Sequence, residues 1–215
     1  MAKRGESMYK AIFRTDEVVD ASLLYKEFSE WSNAKLNPVY PANPDWTGVC
    51  VYKQSGLNHL AELPALRSML SRVGLKHVSG VTYFNLAPKS KLHRHRDMYG
   101  NLLFGISRLH IPIKTNPLAI LEVEKNPYNL ALNELWCLDT SGLHAVWNDG
   151  EDNRIHIVID VRRHLETKKY FPRWSPSVLL HLARFLVIVS LKVGRDIVCQ
   201  PKSLLNRIVD FKKGL

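Results

Sequence analysis

A chain of 215 residues is long enough to bury a sizeable core, and its three cysteines, Cys50, Cys137 and Cys199, are too scattered for a disulfide framework or a CxxC site. The formal net charge of +10 invites a nucleic-acid reading, but residues 162–215 hold 12 Lys and Arg against 3 Asp and Glu, whereas residues 1–161 hold 18 against 17. The body is nearly neutral and the tail carries the basicity, so what the body does and what the tail touches are separate questions.

The N-terminal stretch MAKRGESMYKAIFRTDE has basic residues with no apolar run behind them. No secretory signal is read there, and the unpaired cysteines suit a reducing compartment, so the expected location is cytoplasmic. Asp20 before ASLLYKEFSEW predicts an N-cap and an amphipathic helix with Leu24, Phe28 and Trp31 on one face. A second helix is expected in HLAELPALRSMLSRV, with Pro64 starting or kinking it. From Gly74 the runs LKHVSGVTYFNLAP, SRLHIPIKT, LAILEVE, NELWCLD, LHAVWN and RIHIVIDV are short, β-rich and separated by Pro, Asn, Asp and Gly, which points to an antiparallel sandwich or barrel. After Val161 the helical pattern returns, with Ser175 as N-cap and Pro176 at the first helical position. The run VLLHLARFLVIVSLKV is apolar but interrupted by His181 and Arg184, leaving an uncharged part shorter than the ~20 residues of a bilayer span. It reads as a buried or interfacial helix, followed by a shorter one in SLLNRIVDFKK. The expected organisation is a β domain with N-terminal helices over residues 1–165 and a basic helical extension over 166–215.

The chemistry concentrates in KLHRHRDMYGN. On a strand, His95 and Asp97 at i and i+2 share a face about 7 Å apart and can share a metal. Alone, the stretch is equally a solvated charged turn. A third ligand must come from another strand, and His144 is the candidate, although a lone histidine there also fits a satisfied core position. Two imidazoles and one carboxylate on one face of an iron leave the remaining positions open for substrates, the facial triad of non-heme Fe(II) oxygenases. In WNDGEDNR the NDG segment favours a hairpin turn. If Val146 lies opposite Arg154, then His144 and Arg154 face one interior, where the guanidinium can hold a carboxylate bidentately. The other reading of Arg154 is an ion pair with Glu151 or Asp152. In SRLHIPI, Arg108 and His110 share one face while Leu109, Ile111 and Ile113 share the other, an ordinary edge strand unless it lies beside a metal. His93 has the parity of His95 and Asp97.

The order HxD, RxH, LD…HxVWN and then an arginine ten residues after the second histidine resembles the aspartyl/asparaginyl β-hydroxylase family of Fe(II)/2-oxoglutarate dioxygenases, over Val78 to Val161. The resemblance implies a double-stranded β-helix, the cupin-like jelly roll, flanked by helices. It implies His95 and His144 as iron ligands, Arg154 as the clamp for the distal 2-oxoglutarate carboxylate, and Arg108 with His110 near the oxoacid or substrate. Some members have glycine where this chain has Asp97, which here resembles the full triad of others; His93 stands at a non-ligand position. Animal members have a serine near the cosubstrate on the strand before HxD, where this chain has Phe84, with Tyr83 or Asn85 as substitutes. The implied reaction hydroxylates an unactivated C–H bond of an amino-acid-like or peptidyl substrate with O2 while 2-oxoglutarate becomes succinate and CO2.

Competing readings are a cupin-like metal-dependent isomerase or binding protein, which needs no Arg154, and a hydroxylase of a lipid or glycan at a membrane surface. Nucleic acid is disfavoured, since the tail's charges are interleaved with aliphatic rather than aromatic residues. The C-terminal helices are candidates for packing, homodimerisation or peripheral membrane contact.

Overall fold

A computed structural model describes residues 9–31, 35–98 and 100–199. Lys10–Pro172 forms one compact unit, and the described residues outside it belong to a second. In the first unit, chain order runs β1 (Ile12–Val18), α1 (Ala21–Glu30), β2 (Asn37–Tyr40), β3 (Asn43–Lys53), α2 (Pro64–Val73), β4 (Val78–Leu86) and β5 (Ser90–His95). It continues with β6 (Ile106–Lys114), β7 (Ala119–Val123), β8 (Asn126–Tyr128), β9 (Glu134–Leu138), β10 (His144–Asn148) and β11 (Arg154–Arg162). All described pairings are antiparallel: seven strands in the order β1-β9-β6-β11-β4-β3-β2, and four in the order β5-β10-β7-β8. The two sheets meet across a cavity lined from both.

The helices cover the outer face of the larger sheet. Asp20 caps α1 by accepting from the Leu23 N–H at 2.9 Å, and Leu24 and Phe28 are buried, as the spacing predicts. Pro64 starts α2 rather than kinking it, and Gly74 ends it with φ 106°, a left-handed conformation that favours glycine. No side chain of its own caps α2; Glu27 of α1 does so, accepting from the Ala65 and Leu66 N–H groups at 2.6 and 3.0 Å. Phe28 stacks on Tyr83 of β4 with centroids 4.2 Å apart. Beneath them Leu109, Ile111, Ile157 and Ile159 are fully buried, each such side chain contributing about 1.5–3 kcal/mol relative to exposure. Strand alternation then turns their neighbours Arg108, His110, His156 and Val158 toward the cavity.

One expected connection is different. Residues 148–153 do not close a hairpin: β10 pairs with β5 and β7, whereas β11 pairs with β4 and β6, so the NDG turn carries the chain from one sheet to the other. Turn chemistry specifies a reversal without naming the strands that pair. Buried Asn148 organises the crossing. Its amide donates to the carbonyls of Leu86, Ala87 and Asp152, and its oxygen accepts from the Asn116 amide at 2.9 Å and the Gly150 N–H at 3.3 Å.

The first unit reaches Pro172 because Tyr170 is fully buried and donates to Glu17 Oε1 at 2.7 Å. The second holds α3 (Pro176–Cys199), whose first turn is capped by the Ser175 hydroxyl, accepting from Val178 N–H at 3.4 Å. Its 24 residues span about 36 Å. Residues Pro176–Val193 have mean hydropathy 1.7 and, by length and composition, are long and apolar enough to cross a membrane, although Arg184 and Lys192 interrupt the uncharged run. Only 17% of that stretch is buried, and Leu179, Leu180, Leu186, Val187, Ile188 and Leu191 are exposed. The shorter helix expected in SLLNRIVDFKK lies outside the described residues.

Candidate active site

β5 and β10 pair with His95 directly opposite His144, which brings their imidazole centroids to 4.2 Å. The His95 Nδ1–H donates to the His93 carbonyl at 2.8 Å and the His144 Nδ1–H to the Gly142 carbonyl at 2.9 Å. A carbonyl only accepts, so both rings keep the Nε2 lone pair free, the tautomer a metal requires. Burial, then the neighbouring His95, push the His144 pKa down to about 4, so this imidazole is neutral at ordinary pH. β5 ends at His95, and Asp97 follows it, held by its N–H bond to the Thr140 carbonyl at 3.0 Å. Asp97 Oδ1 lies 3.6 Å from His95 Nε2, and ligand atoms of His95, Asp97 and His144 all lie within 4.8 Å of one another.

Alternation predicts His93 beside His95, but the register places Val146 opposite Leu92, one residue out of step with the His144–His95 pair. This bulge turns Leu92 and His95 into the cavity and leaves His93 exposed. Arg94 and Arg96 point away, pairing with Glu122 at 2.7 Å and Glu124 at 3.1 Å.

The larger sheet supplies the cavity's donors. Arg108 donates to Asp97 Oδ2 at 2.5 Å and grips Asp160 through two bonds of 2.8 and 3.2 Å. Burial opposes its charge, but Asp160 and then Asp97 outweigh burial and hold its pKa above the usual arginine value. Its guanidinium thus fixes Asp97 Oδ2 and leaves Asp97 Oδ1 toward His95. Arg154, by contrast, is 6% exposed and forms no ion pair among the described residues; its one bond runs from Nη2 to His156 Nδ1 at 3.0 Å. Burial pushes its pKa down to about 9, which still leaves it charged at neutral pH. Among the described residues, both ring nitrogens of His110 and the Nε2 of His156 are buried without a hydrogen-bond partner. Burial, with Arg154 next, drives the pKa of each ring well below the ordinary histidine value.

A cavity that gathers a guanidinium without an anion and the unpartnered N–H of each of two neutral imidazoles, His110 and His156, fits an anionic ligand with several acceptor oxygens. The two free Nε2 atoms and a carboxylate oxygen fit a divalent metal. His95, Asp97, His144, Arg154, Arg108 and His110, all singled out from the sequence, line this one cavity. Tyr83 and Asn85 do not: Tyr83 stacks under α1 and Asn85 bonds Thr47 at 3.1 Å, while Phe84 faces inward. Sequence reasoning missed His156 and Asp160, although RIHIVIDV carries them at the same alternation as Arg154. Trp46 lies between Tyr40 and Phe84, 5.3 Å from each, so three aromatics form one wall. A separate His77, His164 and Glu166 group lies outside the cavity, with one Glu166 oxygen bound by Lys76 at 2.7 Å.

The sequence pattern of one family, Aspartyl/Asparaginyl beta-hydroxylase, matches residues 16–164. No curated protein matches the chain. Among solved structures, an oxidoreductase of the 2OG-Fe(II) oxygenase family from Burkholderia pseudomallei aligns with TM-score 0.51 and 14% identity over 66% of this chain and 78% of its own. The non-heme alpha ketoglutarate dependent epimerase SnoN from nogalamycin biosynthesis aligns with TM-score 0.52 and 7% identity over 71% and 76%. At such identities the likeness is one of fold, the two-sheeted jelly roll. The family match contains every residue that lines the cavity. The chain therefore belongs to the aspartyl/asparaginyl β-hydroxylase family and is a 2-oxoglutarate-dependent hydroxylase.

Proposed function

We propose that the enzyme hydroxylates an unactivated C–H bond of an amino-acid-like or peptidyl substrate, with Fe(II) held by His95, Asp97 and His144 and 2-oxoglutarate held by Arg154. The observation that carries this reading is the unpaired, buried Arg154 guanidinium in the same cavity as two free imidazole Nε2 atoms and a carboxylate. A cupin-like isomerase needs no such cation. When bound, iron and 2-oxoglutarate supply the oxidation, in which O2 converts 2-oxoglutarate to succinate and CO2 and one oxygen atom passes to the substrate carbon.

The protein's share is positional. His95 and His144 present neutral nitrogens, and Arg108 fixes one oxygen of Asp97 so that the other faces them. Arg154 fixes the far end of the oxoacid. Leu92, Leu121, Val146 and Val158 keep this interior apolar, which strengthens each charged contact within it. The Tyr40, Trp46 and Phe84 wall supplies flat apolar surface for the substrate.

A succinate assay across free amino acids, Asp- and Asn-containing peptides, acyl lipids and amino-acid-decorated glycans tests the reading. Substrate-dependent succinate with amino acids or peptides, lost in His144→Ala together with iron, is the expected result. Turnover confined to lipids or glycans would replace the substrate class, and full iron content and activity in His144→Ala would overturn the ligand set.

The exposed apolar surface of α3 favours one addition: a cytoplasmic enzyme that contacts a membrane through this helix. Each basic residue near an anionic surface contributes roughly 1 kcal/mol.

A further inference from the structure

Arg154 and His156 are two residues apart on β11 and share its inward face. The Arg154 Nη2 donates to His156 Nδ1 at 3.0 Å. A guanidinium has no acceptor, so Nδ1 must supply the lone pair, and the neutral ring then carries its proton on Nε2. That Nε2–H is buried and has no partner among the described residues. An unmet buried donor is costly, and folding retains it beside a cation that also lacks an anion among the described residues. Across the sheet His156 stands opposite Phe84 on β4 and Pro112 on β6, neither of which has a side-chain polar group to meet it. Its ring centroid lies 6.0 Å from that of His110.

We infer that His156 is a second arm of the carboxylate cradle, donating its Nε2–H to the same terminal carboxylate that Arg154 holds. The inference rests on the 2-oxoglutarate reading above and deepens it. His156 sets specificity at that end of the cavity, because one side chain both orients the arginine and adds a donor. A 2-oxoacid without the terminal carboxylate leaves both groups unmet, so the pair selects the dicarboxylate.

Anaerobic calorimetry on the Fe(II) protein tests this with 2-oxoglutarate and with 2-oxopentanoate, which has the same chain length and no second carboxylate. His156→Phe removes the donor and His156→Gln keeps a nitrogen donor at similar reach. Expected is a loss of about ten- to a hundredfold in 2-oxoglutarate affinity for His156→Phe, the size of one hydrogen bond to a charged group. His156→Gln should recover most of it, and neither variant should change 2-oxopentanoate binding. Equal loss for both oxoacids, or wild-type affinity in His156→Phe, would overturn the inference. In zinc-loaded protein with 15N-labelled histidine, the His156 Nε2–H signal should move downfield with 2-oxoglutarate alone; the same shift with both oxoacids also overturns it. If the wild-type protein binds neither oxoacid, the cosubstrate reading itself fails.

Discussion

Arg154 is the residue on which the cavity's chemistry turns. A guanidinium 6% exposed and lacking an anion among the described residues is a charge held ready for a ligand. Arg154→Ala should weaken 2-oxoglutarate binding by about 2–5 kcal/mol, the cost of truncating one partner of a buried charge pair. Metal content measured on the same variant should stay at the wild-type level; a parallel loss of iron would make Arg154 a structural residue instead. Arg108 has the opposite task. It holds Asp97 with one nitrogen and Asp160 with two, so Arg108→Gln should lower metal affinity about 10–100-fold, as losing an outer partner of a ligand does. Unchanged metal affinity in a competitive chelator titration would show that Asp97 is oriented without it. At this scale the fold brings the residues singled out from the sequence to one cavity. His95, Asp97, His144 and Arg154 declare themselves by spacing and chemical type. The Arg108 partnership did not, because Asp97 and Asp160 are 11 and 52 positions away in the chain. His156 escaped because a histidine in an aliphatic strand reads as core.

The elements that hold these residues depend on the passage from β10 to β11, which lets the two sheets contribute opposite walls to one cavity. Asn148 ties it together, with its amide on three carbonyls and its oxygen on two donors. Asn148→Ala strands several buried groups and should cost about 2–4 kcal/mol, seen as a Tm lower by roughly 5–15 °C for a chain of this size. A Tm within a degree of wild type would mean that the crossing is held elsewhere. The same turn shows where local reading stops. Asn-Asp-Gly signals a reversal, but which sheet receives the next strand is decided by hydrophobic faces distant in sequence. Helices α1 and α2 were legible from Asp20 and Pro64, since caps and proline act within one turn. β1, β2 and β3 were not, because IFRTDEV mixes charge into its alternation and β3 begins with Asn-Pro-Asp and contains Gly48. The bulge that exposes His93 was equally invisible, since a one-residue slip leaves no mark on composition.

On the scale of the whole molecule, the jelly roll was legible as a series of short strands, and the family order of motifs fixed its type. The asymmetry of charge marks the C-terminal segment as chemically separate from the oxygenase body. The exposed apolar surface of α3 sets the expected behaviour: salt-sensitive sedimentation with anionic vesicles, weak with neutral ones, and lost in a chain ending at Pro172. A full chain that ignores both vesicle types would remove the membrane from the account.

The central claim is that metal ligands from the smaller sheet and a carboxylate clamp from the larger one form a single site. Anaerobic calorimetric titration of 2-oxoglutarate into the wild-type protein, with and without Fe(II), and into Arg154→Ala with Fe(II), measures that directly. The account predicts tight binding only where both Fe(II) and Arg154 are present, because the oxoacid must be held at both ends. Equal 2-oxoglutarate affinity in the iron-free protein and in the Fe(II)-loaded Arg154→Ala protein, matching the loaded wild type, would contradict it.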